Sequence, residues 1–195
     1  MKDIYNIDEK YKGGKRENIL TKDELVMLQA ILTSLQSKDP STQVGACYVN
    51  EKGEIISKGY NHQIKYWDEN DFPWNGDVSN NGEENTKYPY MIHAEMDGLI
   101  NYKGNREEFI NSTLYVTLYP CSNCAKHAIE AGVKKIVYLY EREENLDKII
   151  TKRMFNSCNI ECVSFNEITN NLFEGIEINT TNDEKHTVKI LVKDN

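Results

Sequence analysis

Long apolar runs, a surplus of positive charge and an even set of cysteines are all missing from this chain of 195 residues, and each absence excludes something. Met1 to Leu20 alternate charged and amide side chains without a continuous apolar stretch. That predicts neither a secretory signal nor a membrane anchor, hence a cytoplasmic protein with no membrane partner. Lys and Arg total 23 against 31 Asp and Glu, a formal charge of -8, so the surface as a whole repels phosphate backbones and no polynucleotide partner is expected. A ligand that carries phosphate must find its cations locally. Five cysteines is an odd number, and with no export signal in view, metal or catalytic use is expected ahead of a disulfide framework. Internal repeats and low-complexity tracts are absent as well. What remains, 39% hydrophobic and 28% charged, is too apolar for a disordered chain and too polar for a membrane protein, and its length suits one folded domain.

The chain reads as an alternating α/β segment with loose ends. Thr21 and Glu24 have capping-box spacing, and Leu25, Leu28, Ile31, Leu32 and Leu35 recur at helical intervals until Lys38-Asp39-Pro40 ends the run. Val44 to Val49 and Ile55 to Tyr60 read as strands joined by a hairpin turn at Asn50-Glu51-Lys52-Gly53. From 62 to 90 the chain is rich in Asp, Asn, Gly and Pro, a length expected of a functional insert or lid. Then come a helix from about Ile92, a strand Thr113 to Leu118, a helix Asn123 to Ala131 closed by Gly132, and a strand Lys135 to Tyr140. A helix through Leu146, Ile149, Ile150 and Met154 leads to a strand Ile160 to Phe165. Strands separated by helices of this length imply parallel crossovers and a buried sheet covered on both faces. The expected division is a polar arm over 1–20, a core domain over 21–165 and a C-terminal extension over 166–195, with a hairpin formed by Ile176 to Ile178 and Thr187 to Val192.

Three side chains suited to a borderline-soft metal stand at helix starts: His93, then Cys121 and Cys124. Three protein ligands suit catalytic zinc, whose fourth tetrahedral position is kept for water. Cys121 and Cys124 are three apart, so both sulfurs lie on one side of a first helical turn, with Pro120 fixing the approach. His93 and Glu95 are two apart, and both can face one metal only at the irregular beginning of a helix. A carboxylate there can take a proton from water, whose pKa zinc lowers to about 7, and pass protons to a substrate. His93-Ala94-Glu95 followed by Pro120-Cys121-Ser122-Asn123-Cys124 is the H-x-E and P-C-x-x-C pattern of zinc nucleobase deaminases. A closed structural zinc site would need a fourth ligand, for which His127, His62 and Cys47 are candidates. His127 otherwise reads as a surface or packing residue, and Cys47, Cys158 and Cys162 as small core residues.

At these residues the chain resembles the cytidine deaminase superfamily, and within it the deoxycytidylate deaminases. The resemblance rests on Asp39-Pro40-Ser41-Thr42-Gln43-Val44-Gly45-Ala46-Cys47, Gly59-Tyr60-Asn61, Thr86-Lys87-Tyr88-Pro89-Tyr90 with His93-Ala94-Glu95, and Tyr119-Pro120-Cys121-Ser122-Asn123-Cys124-Ala125-Lys126. It implies a three-layer α/β/α fold with a five-stranded mixed sheet, one zinc ion per chain on His93, Cys121 and Cys124, Glu95 as proton shuttle and Asn61 on the deoxyribose hydroxyl. It further implies hydrolytic deamination of dCMP to dUMP for thymidylate synthesis, a homo-oligomer, often a hexamer, and regulation by dCTP and dTTP. The chain departs from the family after Asn61, where His62-Gln63-Ile64-Lys65 replaces the usual glycines.

Val44, Ala94 and Tyr119 are expected to contact the base, and Lys65 or Lys87, the only cations between Asn61 and His93, the 5′-phosphate. Other readings stay open. A different base could be the substrate, namely free cytidine, guanine or adenosine in tRNA. The scaffold could also serve as a catalytically silent, zinc-containing nucleotide sensor.

Overall fold

The computed structural model describes residues 19–66, 68 and 70–169, and the backbone of two further strands. The polar arm expected over 1–20 lies outside the described residues except for its last two. In chain order the elements are α1 (Lys22–Ser34), β1 (Gly45–Val49), β2 (Ile55–Tyr60), β3 (His62–Gln63), α2 (Val78–Asn81), β4 (Met91–Ile92) and α3 (Ala94–Ile100). They continue with β5 (Thr113–Leu118), α4 (Ser122–Ala131), β6 (Lys135–Tyr140), α5 (Leu146–Ser157), β7 (Glu161–Ser164) and α6 (Phe165–Ile168). The expected terminal hairpin is the antiparallel pair β8 (Phe173–Thr180) and β9 (His186–Val192), with Ile176 opposite Ile190 and Ile178 opposite Val188.

Five strands form one mixed sheet in the order β2-β1-β5-β6-β7. β1 runs antiparallel to β2 and β5, and β5, β6 and β7 run parallel through the helical crossovers that the sequence predicts. The period of two sends alternate residues to opposite faces. Ala46, Tyr48, Leu114, Val116 and Ile136 join α3, α4 and α5 in one core, whereas Cys47, Val49, Tyr115, Val137 and Leu139 pack with α1 and Phe165 of α6 in the other. The fold is therefore a three-layer α/β/α sandwich. Among the described residues no helix is long and apolar enough to cross a membrane.

The capping box of α1 is present: Thr21 N–H donates to Glu24 Oε2 at 2.7 Å and Glu24 N–H to Thr21 Oγ1 at 3.2 Å. Its buried face differs from the expected leucine stripe. Val26, Met27, Ala30 and Ile31 fill the core while Leu25, Leu32 and Leu35 are exposed. The reason is the closeness of β1, since a Cβ built on Gly45 would stand only 2.0 Å from the Ala30 carbonyl oxygen. The contact face must present small Ala30 there, which turns Leu25, Leu32 and Leu35 outward while Leu28 and Ile31 stay buried as expected. In α5, likewise, Leu146, Ile149 and Ile150 are exposed, and the buried positions are Lys148, Thr151 and Phe155. Cys158, expected in the core, is exposed after the end of α5, whereas Cys47 is buried.

The segment 62–90 is tied down at its base, where β3 pairs antiparallel with β4, so the helix expected from Ile92 starts two residues later at Ala94. Gln63 Nε2 donates to the Pro73 carbonyl at 2.9 Å, and Lys87 N–H to that of Asn75 at 2.9 Å. The far end of the insert is thereby brought back to the edge of the sheet.

Gly45→Ala should force α1 off the sheet, because both atoms nearest the added Cβ are backbone. The expected loss is about 1–3 kcal/mol, read as a lower urea midpoint at unchanged slope.

Candidate active site

Two helix beginnings meet on one side of the sheet. The approach of α3 is set by glycine on both partners: a Cβ on Gly59 of β2 would lie 2.2 Å from the Ala94 carbonyl oxygen, and one on Gly98 would lie 2.8 Å from the Tyr48 ring. Ser57 and Tyr48, from the neighbouring strands, lock the helix in place. Ser57 Oγ donates to the Gly98 carbonyl at 2.5 Å, and the buried Tyr48 hydroxyl to that of Glu95 at 2.9 Å. His93 immediately precedes α3 in extended conformation (φ -74°, ψ 155°), and Glu95 lies in the first helical turn. That break in the helical path is what lets residues two apart face the same point.

The second beginning is that of α4. Cys121 caps it in extended conformation, its sulfur accepting from Cys124 N–H at 3.5 Å. Asp147, in the first turn of α5, accepts Ser122 N–H at 3.2 Å on both carboxylate oxygens and so anchors the cysteine loop from behind. Cys121 Sγ and Cys124 Sγ stand 3.5 Å and 3.4 Å from His93 Nδ1. All three donor atoms lie within 4.8 Å of one another.

These separations match a metal centre. Zinc–sulfur bonds of about 2.3 Å and zinc–nitrogen bonds of about 2.05 Å at tetrahedral angles place sulfur and nitrogen about 3.6 Å apart. Among the described residues no fourth His, Cys, Asp or Glu joins the cluster. His127 is exposed on α4, with Nδ1 2.7 Å from the Asn123 carbonyl, and Cys47 lies in the opposite core.

The three donors share protons through short contacts, and Cys121 is the one held as thiolate. Donation from Cys124 and His93 lowers the Cys121 thiol to about 4, and Cys124, the donor in that pair, is raised. Glu95 is buried and hydrogen-bonded to Cys124; burial pushes its carboxyl above the ordinary range, against the pull of His93. The His93 imidazole is raised, chiefly by its hydrogen bond with Cys121.

His93 and Glu95 open onto a cavity of about 200 Å³ that Val44, Asn61, Ala94, Tyr119 and Lys87 also line. Lys65 does not reach it: its ammonium sits 2.8 Å from Asp97, a carboxylate that also lies 2.9 Å from His62 Nε2, and Lys65 and His62 both line a second, smaller cavity. Lys87 is in the cavity wall, but its ammonium is held by Asp39, both side chains being buried. Asp39 in turn accepts from Ser41 N–H at 2.8 Å and Thr42 N–H at 3.1 Å. Asn61 Oδ1 accepts from Val44 N–H at 2.7 Å, and its Nδ2 donates to the Thr42 carbonyl at 2.9 Å, so this side chain braces the same loop.

Sequence reasoning missed Arg142, which lines the cavity from the loop between β6 and α5. Among the described residues its one ion pair is a loose one, 3.8 Å to Asp147. A signal was available, because open α/β sheets bind ligands beyond the carboxyl ends of parallel strands, and Arg142 lies two residues past the end of β6.

Residues 20–140 match the family of the cytidine and deoxycytidylate deaminase zinc-binding region. The deoxycytidylate deaminase of Homo sapiens is 35% identical over 147 residues, covering 75% of this chain and 80% of that protein. That of Mus musculus is 35% identical over 140 residues, covering 72% and 76%. Among solved structures, the dCMP deaminase of cyanophage S-TIM5, in complex with dCMP and dUMP, superposes with a TM-score of 0.57 at 26% identity, over 73% of this chain and 95% of that one. The motif, the geometry of its donor atoms and the extent of these matches agree: the chain belongs to the cytidine and deoxycytidylate deaminase family.

Proposed function

We propose that this protein hydrolyses dCMP to dUMP and ammonia. The observation that carries the reading is the convergence of His93, Cys121 and Cys124 beside the buried Glu95 carboxyl, with His93 and Glu95 opening onto a cavity that Arg142 also lines. One zinc ion per chain would be held by those three ligands. When bound, it supplies Lewis acidity and a water acidified to a pKa of about 7. Glu95 moves the protons. Its carboxylate takes one from the attacking water and gives it to N3 of the ring, then delivers a second to the amine leaving C4. Val44, Ala94 and Tyr119 enclose the base, with the Tyr119 ring offering an aromatic surface. Asn61 Oδ1, which has two lone pairs and spends one on Val44, accepts from the deoxyribose hydroxyl.

The 5′-phosphate falls to Arg142, whose guanidinium carries five donors and, among the described residues, pairs with Asp147 at a loose 3.8 Å. Lys87 is the counter-ion of Asp39 and shapes the Ser41–Thr42 loop rather than meeting the phosphate itself. The core domain is assigned to 21–165, with 62–90 as its insert, 1–20 as an arm and 166–195 as an extension. The resemblance noted above extends the reading to a cytoplasmic homo-oligomer that answers to dCTP and dTTP.

Ammonia release from dCMP, CMP, deoxycytidine, dCTP and tRNA tests the substrate. A preference for dCMP is expected; preference for the nucleoside would overturn the assignment, and inactivity on the whole panel would favour a silent sensor. Glu95→Gln should keep zinc by elemental analysis while kcat falls by about 10²- to 10⁴-fold. Chelation should remove one zinc per chain together with the activity, and added zinc should restore both. Arg142→Gln should lower kcat/KM for dCMP by about 10- to 100-fold and spare deoxycytidine, as expected for loss of a charged hydrogen bond.

A further inference from the structure

Lys148 is a buried lysine on α5 that points back under the cavity wall. Its side chain is 6% exposed, and its ammonium makes three short contacts: the Arg142 carbonyl at 2.9 Å, Glu141 Oε1 at 2.8 Å and Glu144 Oε2 at 3.1 Å. An ammonium has three N–H donors, so the set is complete. The same ammonium lies 5.5 Å from the centroid of the Tyr119 ring, over its face. Tyr119 and Arg142 both line the active-site cavity. A single side chain that does not line it therefore holds a backbone atom of one lining residue and the aromatic face of another.

The loop between β6 and α5 is also held by Asn145, which accepts Lys148 N–H at 2.9 Å and caps α5, and by Lys152, whose ammonium lies 3.1 Å from Glu144, but of these cations Lys148 alone reaches the Arg142 carbonyl. Residues 141–145 form neither helix nor strand, and Glu141 and Glu144 are exposed carboxylates that need a cation to be drawn inward. Glu141 also accepts from the Tyr138 hydroxyl at 2.9 Å, and the Tyr138 ring meets Tyr119 edge-on at 5.0 Å. The loop, the two tyrosines and α5 thus converge on Lys148. The carboxylate of Glu141 above all holds the ammonium in its charged form, and what distinguishes the arrangement is that the same charge orients two residues of the cavity wall.

We infer that Lys148 is a positioning residue for substrate specificity, fixing the Arg142 backbone and the Tyr119 ring so that the phosphate end and the base end of the nucleotide are held at a set separation. The inference rests on the assignment of the 5′-phosphate to Arg142 made above. Lys148 touches neither the substrate nor the metal ligands; it acts through the two residues it holds.

The test uses the zinc-loaded full chain and two readouts: steady-state kinetics on dCMP and deoxycytidine, and calorimetric binding of the product dUMP against deoxyuridine. Lys148→Met keeps the aliphatic stem. It should raise KM for dCMP and weaken dUMP binding by about 10-fold, with kcat within about 2-fold and deoxycytidine and deoxyuridine unchanged. Lys148→Arg, which keeps the charge and the donors, should recover most of the loss. In the Arg142→Gln background Lys148→Met should add little to the selective loss on dCMP relative to deoxycytidine, since that selectivity passes through the Arg142 contact. Equal losses on nucleotide and nucleoside, a fall in kcat alone, or full additivity with Arg142→Gln would overturn the inference and leave the dCMP assignment standing. If Arg142→Gln itself spares dCMP, the phosphate assignment and the inference fall together. Should Lys148→Met prove unfolded by circular dichroism, Glu141→Gln with Glu144→Gln removes the same anchors from the exposed side, and the same selective loss is expected of it.

Discussion

Everything at the site depends on how closely α3 lies against β2. Backbone touches backbone at Gly59 and Gly98, nearer than any side chain would allow, and the Tyr48 hydroxyl and Ser57 fasten the helix at that distance. The consequence reaches the chemistry directly, because His93 and Glu95 are the residues at the mouth of that helix. Were α3 carried outward by the width of a methyl group, the imidazole would leave the 3.4–3.5 Å range to the two sulfurs that a shared metal requires. The second half of the donor set is fixed independently by Asp147 on the Ser122 amide. Two rigid placements then define one point in space.

Most of this arrangement is legible in the sequence, for an identifiable reason. Metal ligands and turn residues announce themselves by type and spacing, so His93, Glu95, Cys121 and Cys124, the capping box at Thr21 and the hairpin through Gly53 are all readable locally. The alternating core strands are readable for the same reason. What fails is inference about which side of an element faces inward. Leu25, Leu32 and Leu35 of α1 and the isoleucines of α5 look like core stripes, yet they are exposed, because the close approach of Gly45 to Ala30 is set fifteen residues away in sequence and the burial of Lys148 is set by the carbonyl and carboxylates of the preceding loop, neither of which periodicity registers. A buried lysine amid exposed isoleucines inverts the rule on which periodicity arguments rest.

The cations show the same limit. Sequence order directs attention to Lys65 and Lys87 because they stand between Asn61 and His93. In space each is claimed by a buried carboxylate, Asp97 for one and Asp39 for the other. Arg142 sits far along the chain, but the parallel β5-β6 pair delivers it to the same cavity. Proximity in sequence ranks candidates by reach, whereas availability of donors depends on which carboxylates fold brings near.

A chain with a formal charge of -8 that handles an anionic substrate must solve its electrostatics locally, and the cavity shows how. Asp39 is the obvious obstacle, a carboxylate in the wall. Lys87 neutralises it at short range in a buried setting where the pair is little screened, and the paired Asp39 then turns the Ser41 and Thr42 amides by accepting from both. The negative charge thus becomes scaffolding. Beside Arg142, Lys148 does the reciprocal work, taking up Glu141 at 2.8 Å and sharing Glu144 with Lys152. Arg142 is left facing the cavity with one weak partner, so its positive charge is the least compensated in the wall. Local potential is set here by which lysine absorbs which carboxylate rather than by the number of basic residues, and that is how an acidic protein can keep a guanidinium in its cavity wall.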